Sequence, residues 1–302
     1  MAARDVAGGQ RISRPGLALL LVTVIAWGLT WPINKVILEQ VSPLWMSAIR
    51  TLIAVIAMLA ITGLSGRLRS PPRHDLPVLL SISLLHMVGF SVFAALGLLL
   101  VPAGRSVVLA YTTPLWVIPG AALFLREGLT VRKAVGAAVG LAGLVLLFNP
   151  LAFDWRDANA LLGNGALLVA AFLWASSILH IRGHRWRSTP FDLVFWELLL
   201  ASVVLTALAL AVDGLPRIEL TPRLTLLLLY IGLPGTALAY WATAMASREL
   251  PAVTTSLGLL GAPVIGVAAA ILALGEAPDA LLLLSGMMIL GGVAIGTIER
   301  RF

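Results

Sequence analysis

His86 is the side chain best placed to do chemistry, because it is ionisable and interrupts a long apolar run between Leu85 and Met87. An ionisable residue deep inside such a run is costly and is a functional candidate by default. Its imidazole could donate a hydrogen bond to a substrate carboxylate or change its charge with pH. A neutral histidine that bonds a neighbouring helix is the alternative, and the sequence leaves both open.

Aromatic side chains also fall inside apolar runs rather than at their ends. Tryptophan and tyrosine usually collect where a membrane meets water, and interior ones need a partner for their N–H or O–H group. A cavity that they line would suit a substrate with a flat or apolar body, and plain packing is the alternative. Together with His86 and one hydroxyl, they form the predicted substrate-binding set: Trp27, His86, Tyr111, Trp116, Trp174, Ser177 and Tyr240.

Prolines interrupt several of the same apolar runs. A proline removes an intrahelical hydrogen bond and leaves carbonyl groups free to face a cavity. Interrupted helices at matching places in two halves of a chain indicate a transport site, whereas a kink that only serves packing is the alternative. The predicted hinge residues are Pro32, Pro114, Pro234 and Pro263.

Groups for covalent or metal chemistry are scarce in the sequence. The chain has no cysteine, which excludes disulfides and thiolate ligands. His86 has no second histidine or carboxylate at ligand spacing, and His180 lies beside Arg182 and His184 near the end of a span, where a structural role is expected, so we expect no metal site. No P-loop signature is present, so we expect neither ATP hydrolysis nor a cofactor. An intramembrane enzyme would need paired acids or a Ser–His couple at depth, so we predict no catalytic residues.

Composition indicates that these residues belong to a membrane protein. Of 302 residues, 60% are hydrophobic and only 12% are charged, and the mean hydropathy is +1.00. A water-soluble domain carries about 25% charged residues, so this chain lacks the polar surface to cover itself. The formal net charge of +7 comes mainly from arginines between apolar runs, which is typical of membrane orientation rather than of nucleic-acid binding.

The apolar runs are continuous and about 20 residues long, which favours spanning helices over the alternating strands of a barrel. We predict an all-α integral membrane protein with ten transmembrane helices. The spans are expected at about 15–38, 43–63, 76–99, 103–125, 131–148, 161–182, 190–212, 222–246, 251–274 and 279–298. Most basic residues of the connections fall on one side, so both termini are expected in the cytoplasm.

The chain contains the same half twice. Pro102, Pro114 and Gly143 recur as Pro251, Pro263 and Gly292, each 149 residues later. Five spans per half is an odd number, so the second half must enter the membrane from the opposite face. We therefore predict two inverted five-helix repeats, 1–149 and 150–302, around a central cavity. Glycines in the fifth and tenth spans are expected to seal the halves together or to form a dimer interface.

Charged residues near the ends of spans are expected to have structural roles. Arg50 and Glu197 occupy matching positions in the two halves, but inversion places them near opposite faces, so they are not expected to pair. Each is expected to bond a neighbouring helix or loop, and Arg50 is expected to snorkel outward. Glu127 and Glu276 are expected to stabilise the N-termini of the helices that follow them.

Three motifs follow one another in the first half: Trp27-Gly28, Tyr111-Thr112-Thr113-Pro114 and Leu125-Arg126-Glu127. With ten spans in two repeats, their order and spacing resemble the EamA family of the drug/metabolite transporter (DMT) superfamily. Within it the chain looks most like YddG-type exporters of aromatic and other amino acids. The resemblance covers almost the whole chain and implies an inner-membrane exporter with a cavity between the halves. In the second half, Ala175-Ser176-Ser177 replaces the tryptophan–glycine pair.

These observations predict a secondary transporter that exports small metabolites, most of all aromatic or neutral amino acids, across the bacterial inner membrane by alternating access. The expected partners are a small-molecule substrate and the lipid bilayer, without nucleic acid, in a monomer or a dimer. An intramembrane enzyme is one alternative; an exporter of other small amphipathic metabolites or drugs is another. No carboxylate lies at mid-depth, so facilitated diffusion, exchange and proton antiport all stay open.

Overall fold

The computed structural model describes residues 13–66, 68–126, 128–148, 156–250, 255 and 258–297. Helices make up most of these residues, and no strand occurs among them. Backbone groups inside a membrane must be satisfied within the chain, which a helix achieves segment by segment. The predicted all-α fold class is confirmed.

The helices are numbered α1 to α10 in chain order along the described residues. Their bounds are Arg14–Ile37 (α1), Pro43–Leu64 (α2), Arg73–Leu100 (α3), Ala103–Phe124 (α4), Val131–Phe148 (α5), Ala158–Gly183 (α6), Pro190–Val212 (α7), Pro222–Glu249 (α8), Gly261–Leu274 (α9) and Ala280–Thr297 (α10). Seven of them, α1 to α4 and α6 to α8, contain a stretch long and apolar enough to cross a membrane. The helix α9 and most of α10 are apolar but shorter. The chain is therefore a multi-pass membrane protein.

Several helices begin at a hydroxyl residue that is followed closely by proline. The side chains of Ser13, Ser42 and Thr221 each accept a hydrogen bond from a backbone N–H of the first turn of α1, α2 and α8. Such caps satisfy amides that have no partner inside the helix, and proline in the first turn loses no intrahelical bond. These local signals set where the helices start.

Two helices contain a stretch of wider turns near their middle. In α3 the wider turns run over Ile82–Phe90, and in α8 over Leu233–Leu238. The Thr236 hydroxyl bonds the carbonyl of Ile231 at 2.7 Å, across five residues. Insertions of this kind recur at functional sites because they change the direction of nearby side chains. Pro234 lies within the wide stretch of α8, whereas Pro32 lies inside an uninterrupted α1.

Helix α4 breaks in the middle of its predicted span. The first part ends at Ala110, and a new helix begins at Thr113, with Pro114 in its first turn. The hydroxyl of Thr112 donates a hydrogen bond to the carbonyl of Leu109 at 2.7 Å, and that of Thr113 donates to the carbonyl of Ala110 at 2.9 Å. The break therefore comes just before the proline. Pro263, its repeat mate, lies in the first turn of α9.

Glycines pack α5 directly against α10. A Cβ added at Gly136 would lie 2.5 Å from the carbonyl oxygen of Gly292, and one at Gly143 would lie 2.9 Å from that of Ser285. Only residues without a side chain allow two helix backbones to approach so closely. The predicted role of these glycines, to hold the fifth and tenth helices together, is confirmed.

Glu276 stabilises a helix start, but not the one predicted. Its carboxylate accepts hydrogen bonds from the backbone N–H groups of Ala103 and Gly104, at 2.6 and 2.9 Å. It therefore caps α4 rather than α10, in whose first turn the N–H of Leu282 donates instead to Oδ1 of Asp279 at 2.6 Å. Nearby, the Lys35 ammonium donates to the carbonyls that end α3. Glu127 lies outside the described residues.

Candidate functional site

A cavity lies among α1, α2, α3, α4, α6 and α8. It holds about 790 Å³ of space not filled by atoms, its open mouth included. The lining residues are Trp27, Thr30, Trp31, Asn34, Met46, Ser47, Arg50, His86, Phe90, Ser91, Ala94, Ala95, Leu98, Tyr111, Trp174, Gly235, Thr236 and Tyr240.

Five residues of the predicted substrate-binding set meet in this cavity and form an aromatic cage. His86 stacks on Trp174 with ring centroids 5.1 Å apart and 9° between the planes. Tyr111 meets Trp174 edge-on at 5.9 Å, and Tyr240 meets both His86 at 6.0 Å and Trp27 at 5.9 Å. Stacked and edge-on pairs of this kind are favourable arrangements for aromatic rings. The cage offers flat apolar surfaces to a ligand.

The wide turns of α3 and α8 and the break in α4 supply parts of the cage. His86 lies within the wide stretch of α3, and Tyr111 lies at the break of α4. Gly235 and Thr236, next to Pro234, line the cavity from the wide stretch of α8. The irregular parts of three helices therefore converge on one place, as backbone irregularity at membrane depth usually does.

Arg50 brings a positive charge to the cavity. One terminal nitrogen of its guanidinium donates to the Ser91 hydroxyl at 2.5 Å, while Nε is buried without a hydrogen-bond partner. Among the lining residues of the described chain, Arg50 alone carries a permanent charge. The expectation that Arg50 bonds a neighbouring helix is confirmed, because Ser91 lies on α3.

Two neutral residues of the lining also have a buried polar atom without a hydrogen-bond partner. Asn34 and Ser47 are among the residues that line the cavity, and their side-chain oxygens are buried without hydrogen-bond partners. Leaving a buried polar atom unpaired costs about 1–3 kcal/mol, so native proteins rarely retain several in one place without a use. Together with Arg50 Nε, they make one wall of the cavity ready to bind a polar ligand.

Two members of the predicted set lie elsewhere. Trp116 packs edge-on against Phe172 with centroids 5.7 Å apart, and its indole nitrogen is buried without a partner. Ser177 is fully buried, and its hydroxyl also lacks a partner. Neither is among the residues that line the cavity.

The cavity extends toward one end of the helix bundle. Its lining residues on α1, α2 and α3 lie between mid-helix and the end where α1 connects to α2. At the other end, Leu20 and Val24 of α1 pack with Ala246 and Leu250, a group that we call the apolar plug. There the Ser13 hydroxyl also donates to Glu249 at 2.5 Å. The site is therefore closed at the end where α1 begins.

Known proteins resemble this chain in sequence and in fold. The model of the EamA-like transporter family matches residues 14–149 and again residues 161–297. The chain is 28% identical over 308 residues to the "Probable amino-acid metabolite efflux pump" of Escherichia coli (strain K12), covering 96% of this chain and 97% of that protein. It is 26% identical over 281 residues to the "Uncharacterized transporter YoaV" of Bacillus subtilis (strain 168), covering 93% and 96%.

Two further likenesses extend over nearly the full length. The "Probable terminal-alkyne amino-acid exporter" of Streptantibioticus cattleyicolor is 27% identical over 297 residues, covering 97% of this chain and 95% of that protein. A crystal structure of another protein matches with a TM-score of 0.66 at 21% identity, covering 93% of this chain and 96% of the other, which shows the fold alone. The family match spans most of the sequence, and the chain therefore belongs to the EamA-like transporter family, which consists of transporters rather than enzymes.

Proposed function

We propose that this protein exports amino acids with aromatic or neutral side chains across the bacterial inner membrane. The observation that carries the proposal is a single cavity that holds both the Arg50 guanidinium and an aromatic cage around Trp174. Both features suit one molecule that has a charged head and a flat body. Relatives named as an amino-acid metabolite efflux pump and an amino-acid exporter support the same substrate class.

Each part of an amino acid has a suitable partner in the cavity. Arg50 has a free Nε donor for the carboxylate, and guanidinium–carboxylate hydrogen bonds are among the strongest in proteins. Asn34 Oδ1 and the Ser47 hydroxyl are free acceptors for the ammonium group. The rings of His86, Trp174 and Tyr240 would hold the side chain. None of the lining residues of the described chain is acidic, which disfavours substrates with a cationic side chain.

The transport cycle that we propose is alternating access between two inverted five-helix repeats, 1–149 and 150–302, in a bundle of ten spans. With both termini in the cytoplasm, the apolar plug closes the cytoplasmic end and the cavity faces outward. Opening the plug would separate α1 from the end of α8. The break before Pro114 and the wide turns at Pro234 are the proposed hinges, with Pro32 and Pro263 in secondary roles.

Export of other small amphipathic metabolites is the second candidate, and the largely apolar lining of the cavity favours it. A drug-like amphipath would use the aromatic cage without needing Arg50. An amino acid would need both. The two candidates therefore differ in whether transport requires a carboxylate.

The deciding experiment uses the purified protein in liposomes loaded with labelled L-phenylalanine. We expect protein-dependent efflux that unlabelled L-phenylalanine inhibits. Phenethylamine lacks the carboxylate and phenylpropionate lacks the ammonium group, so both should compete poorly. Equal competition by phenethylamine would favour the amphipath exporter. No efflux from correctly inserted protein, for any neutral amino acid, would refute amino-acid export.

A further inference from the structure

Three metal-ligating side chains meet outside the cavity lining, where the first turn of α3 touches the connection after α6. Asp75 is fully buried, and its Oδ1 lies 2.8 Å from Nε2 of His184 and 3.2 Å from Nδ1 of His74. The three ligand atoms all lie within 4.8 Å of one another. The amides of Arg187 and Ser188 complete the surroundings of the carboxylate.

The neighbouring backbone holds these groups in place. The N–H of Ser188 donates to Oδ2 of Asp75 at 2.8 Å, and that of Arg187 donates to Oδ1 at 3.3 Å. The backbone N–H of His184 bonds the carbonyl of His180 at the end of α6. Trp186 packs edge-on against the His184 ring, with centroids 5.3 Å apart. Outer contacts of this kind fix the orientation of metal ligands in known sites.

We propose that His74, Asp75 and His184 form a binding site for a divalent transition-metal ion such as Zn²⁺. Zinc binds imidazole nitrogen and carboxylate oxygen at about 2.0–2.2 Å, so ligand atoms around it lie about 3.3 Å apart in a tetrahedron. Two of the three separations are already close to that value. The partly exposed ring of His74 leaves room for water as the fourth ligand. Two imidazoles disfavour Mg²⁺ and Ca²⁺, which prefer oxygen.

The ion would join two parts of the chain that are distant in sequence. His74 and Asp75 lie in the first turn of α3, whereas His184 follows α6, 109 residues beyond Asp75. Arg73 and Arg185 lie next to the ligands in sequence and add positive charge, which weakens affinity for a cation. On the proposed function, the two segments belong to different repeats, so the bound ion would also slow the opening of the bundle.

The test is calorimetric titration of ZnCl₂ into the untagged full chain in detergent. We expect one ion per chain, and binding weakened at least about tenfold in His74→Ala, His184→Ala and Asp75→Asn. The control is His180→Ala, since that exposed histidine lies outside the cluster. Circular dichroism and thermal unfolding without metal establish that each variant is folded. His74 is partly exposed, so its variant tests the site with the least risk to folding.

Two results would overturn the site. One is the absence of binding heat at millimolar zinc. The other is binding that survives His74→Ala but is lost in His180→Ala, which would assign the ion to the His180–His184 pair, whose rings lie 6.2 Å apart. These measurements do not depend on transport. A separate efflux assay with zinc added then shows whether occupancy slows export in the wild type and not in His184→Ala.

Discussion

The His86 imidazole lies parallel to the Trp174 indole, with 9° between the ring planes and 5.1 Å between their centroids. His86 comes from the wide turns of α3, and Trp174 comes from α6, which belongs to the other predicted repeat. On the predicted division of the chain, the stack therefore connects the two repeats at the wall of the cavity. Any movement of one repeat against the other must change this contact.

Trp174→Ala removes the indole on which His86 stacks, so it should raise the KM for L-phenylalanine efflux by about tenfold. An aromatic pair is worth about 0.5–1.5 kcal/mol beyond the area it buries. Trp116→Ala is the matched control, because Trp116 packs on Phe172 outside the cavity. Efflux kinetics at equal membrane levels check the prediction. A larger KM change for Trp116 than for Trp174 would move the site away from the cage.

Arg50→Gln should weaken transport of L-phenylalanine by between about tenfold and a hundredfold, because a hydrogen bond to a charged group contributes about 1.5–3 kcal/mol. Transport of an uncharged amphipath should change little. Arg223→Gln, at an exposed arginine at the start of α8, is the control for loss of one positive charge. If Arg50→Gln exports L-phenylalanine normally, the carboxylate binds elsewhere.

Gly292→Ala should lower the midpoint of thermal unfolding in detergent, because its Cβ would lie 2.5 Å from the carbonyl oxygen of Gly136 on α5. Backbone at that distance cannot move aside cheaply. The adjacent Gly291 has no atom within 4 Å of its added Cβ, so Gly291→Ala should leave stability unchanged or raise it slightly. Equal effects in the two variants would contradict the α5–α10 packing.

Single cysteines can test the inverted repeats directly, since the chain has no native cysteine. Ser70→Cys and Asp157→Cys place thiols at exposed positions before α3 and before α6. A membrane-impermeant maleimide should label only Asp157→Cys in intact cells and both variants in lysed cells. Labelling of both from outside would exclude opposite orientations of the two repeats.

The sequence predicts the helices and much of the cage for clear physical reasons. Apolar runs and hydroxyl–proline starts are local signals, so α1 to α8 and α10 begin close to the expected positions, whereas α9 is described from Gly261 and its expected start near 251 lies outside the described residues. Trp27, Tyr111 and Trp174 were identifiable because interior aromatics without an obvious polar partner are unusual. The break in α4 was also predictable, although its place, before Pro114 rather than at it, depends on the hydroxyls of Thr112 and Thr113.

Other features depend on packing that sequence does not specify. The position of Arg50 within its apolar run indicates how deep the residue lies in the membrane. The direction in which its side chain points depends on the rotation of α2 and on the hydrogen bond to Ser91 of α3. The interior position itself was a usable signal, since charged residues there usually face a cavity. His74 and Asp75 come near His184 only because the start of α3 touches the connection after α6, and no local pattern predicts such a contact.

Glu276 has a consequence for biosynthesis. The two amides that it caps belong to Ala103 and Gly104, which are made more than 170 residues earlier in the chain. During synthesis these two amides lack the Glu276 carboxylate as an acceptor until the ninth helix has been inserted. The first half is therefore translated before α4 has its N-terminal cap, which Glu276 supplies only after much of the second half has been made.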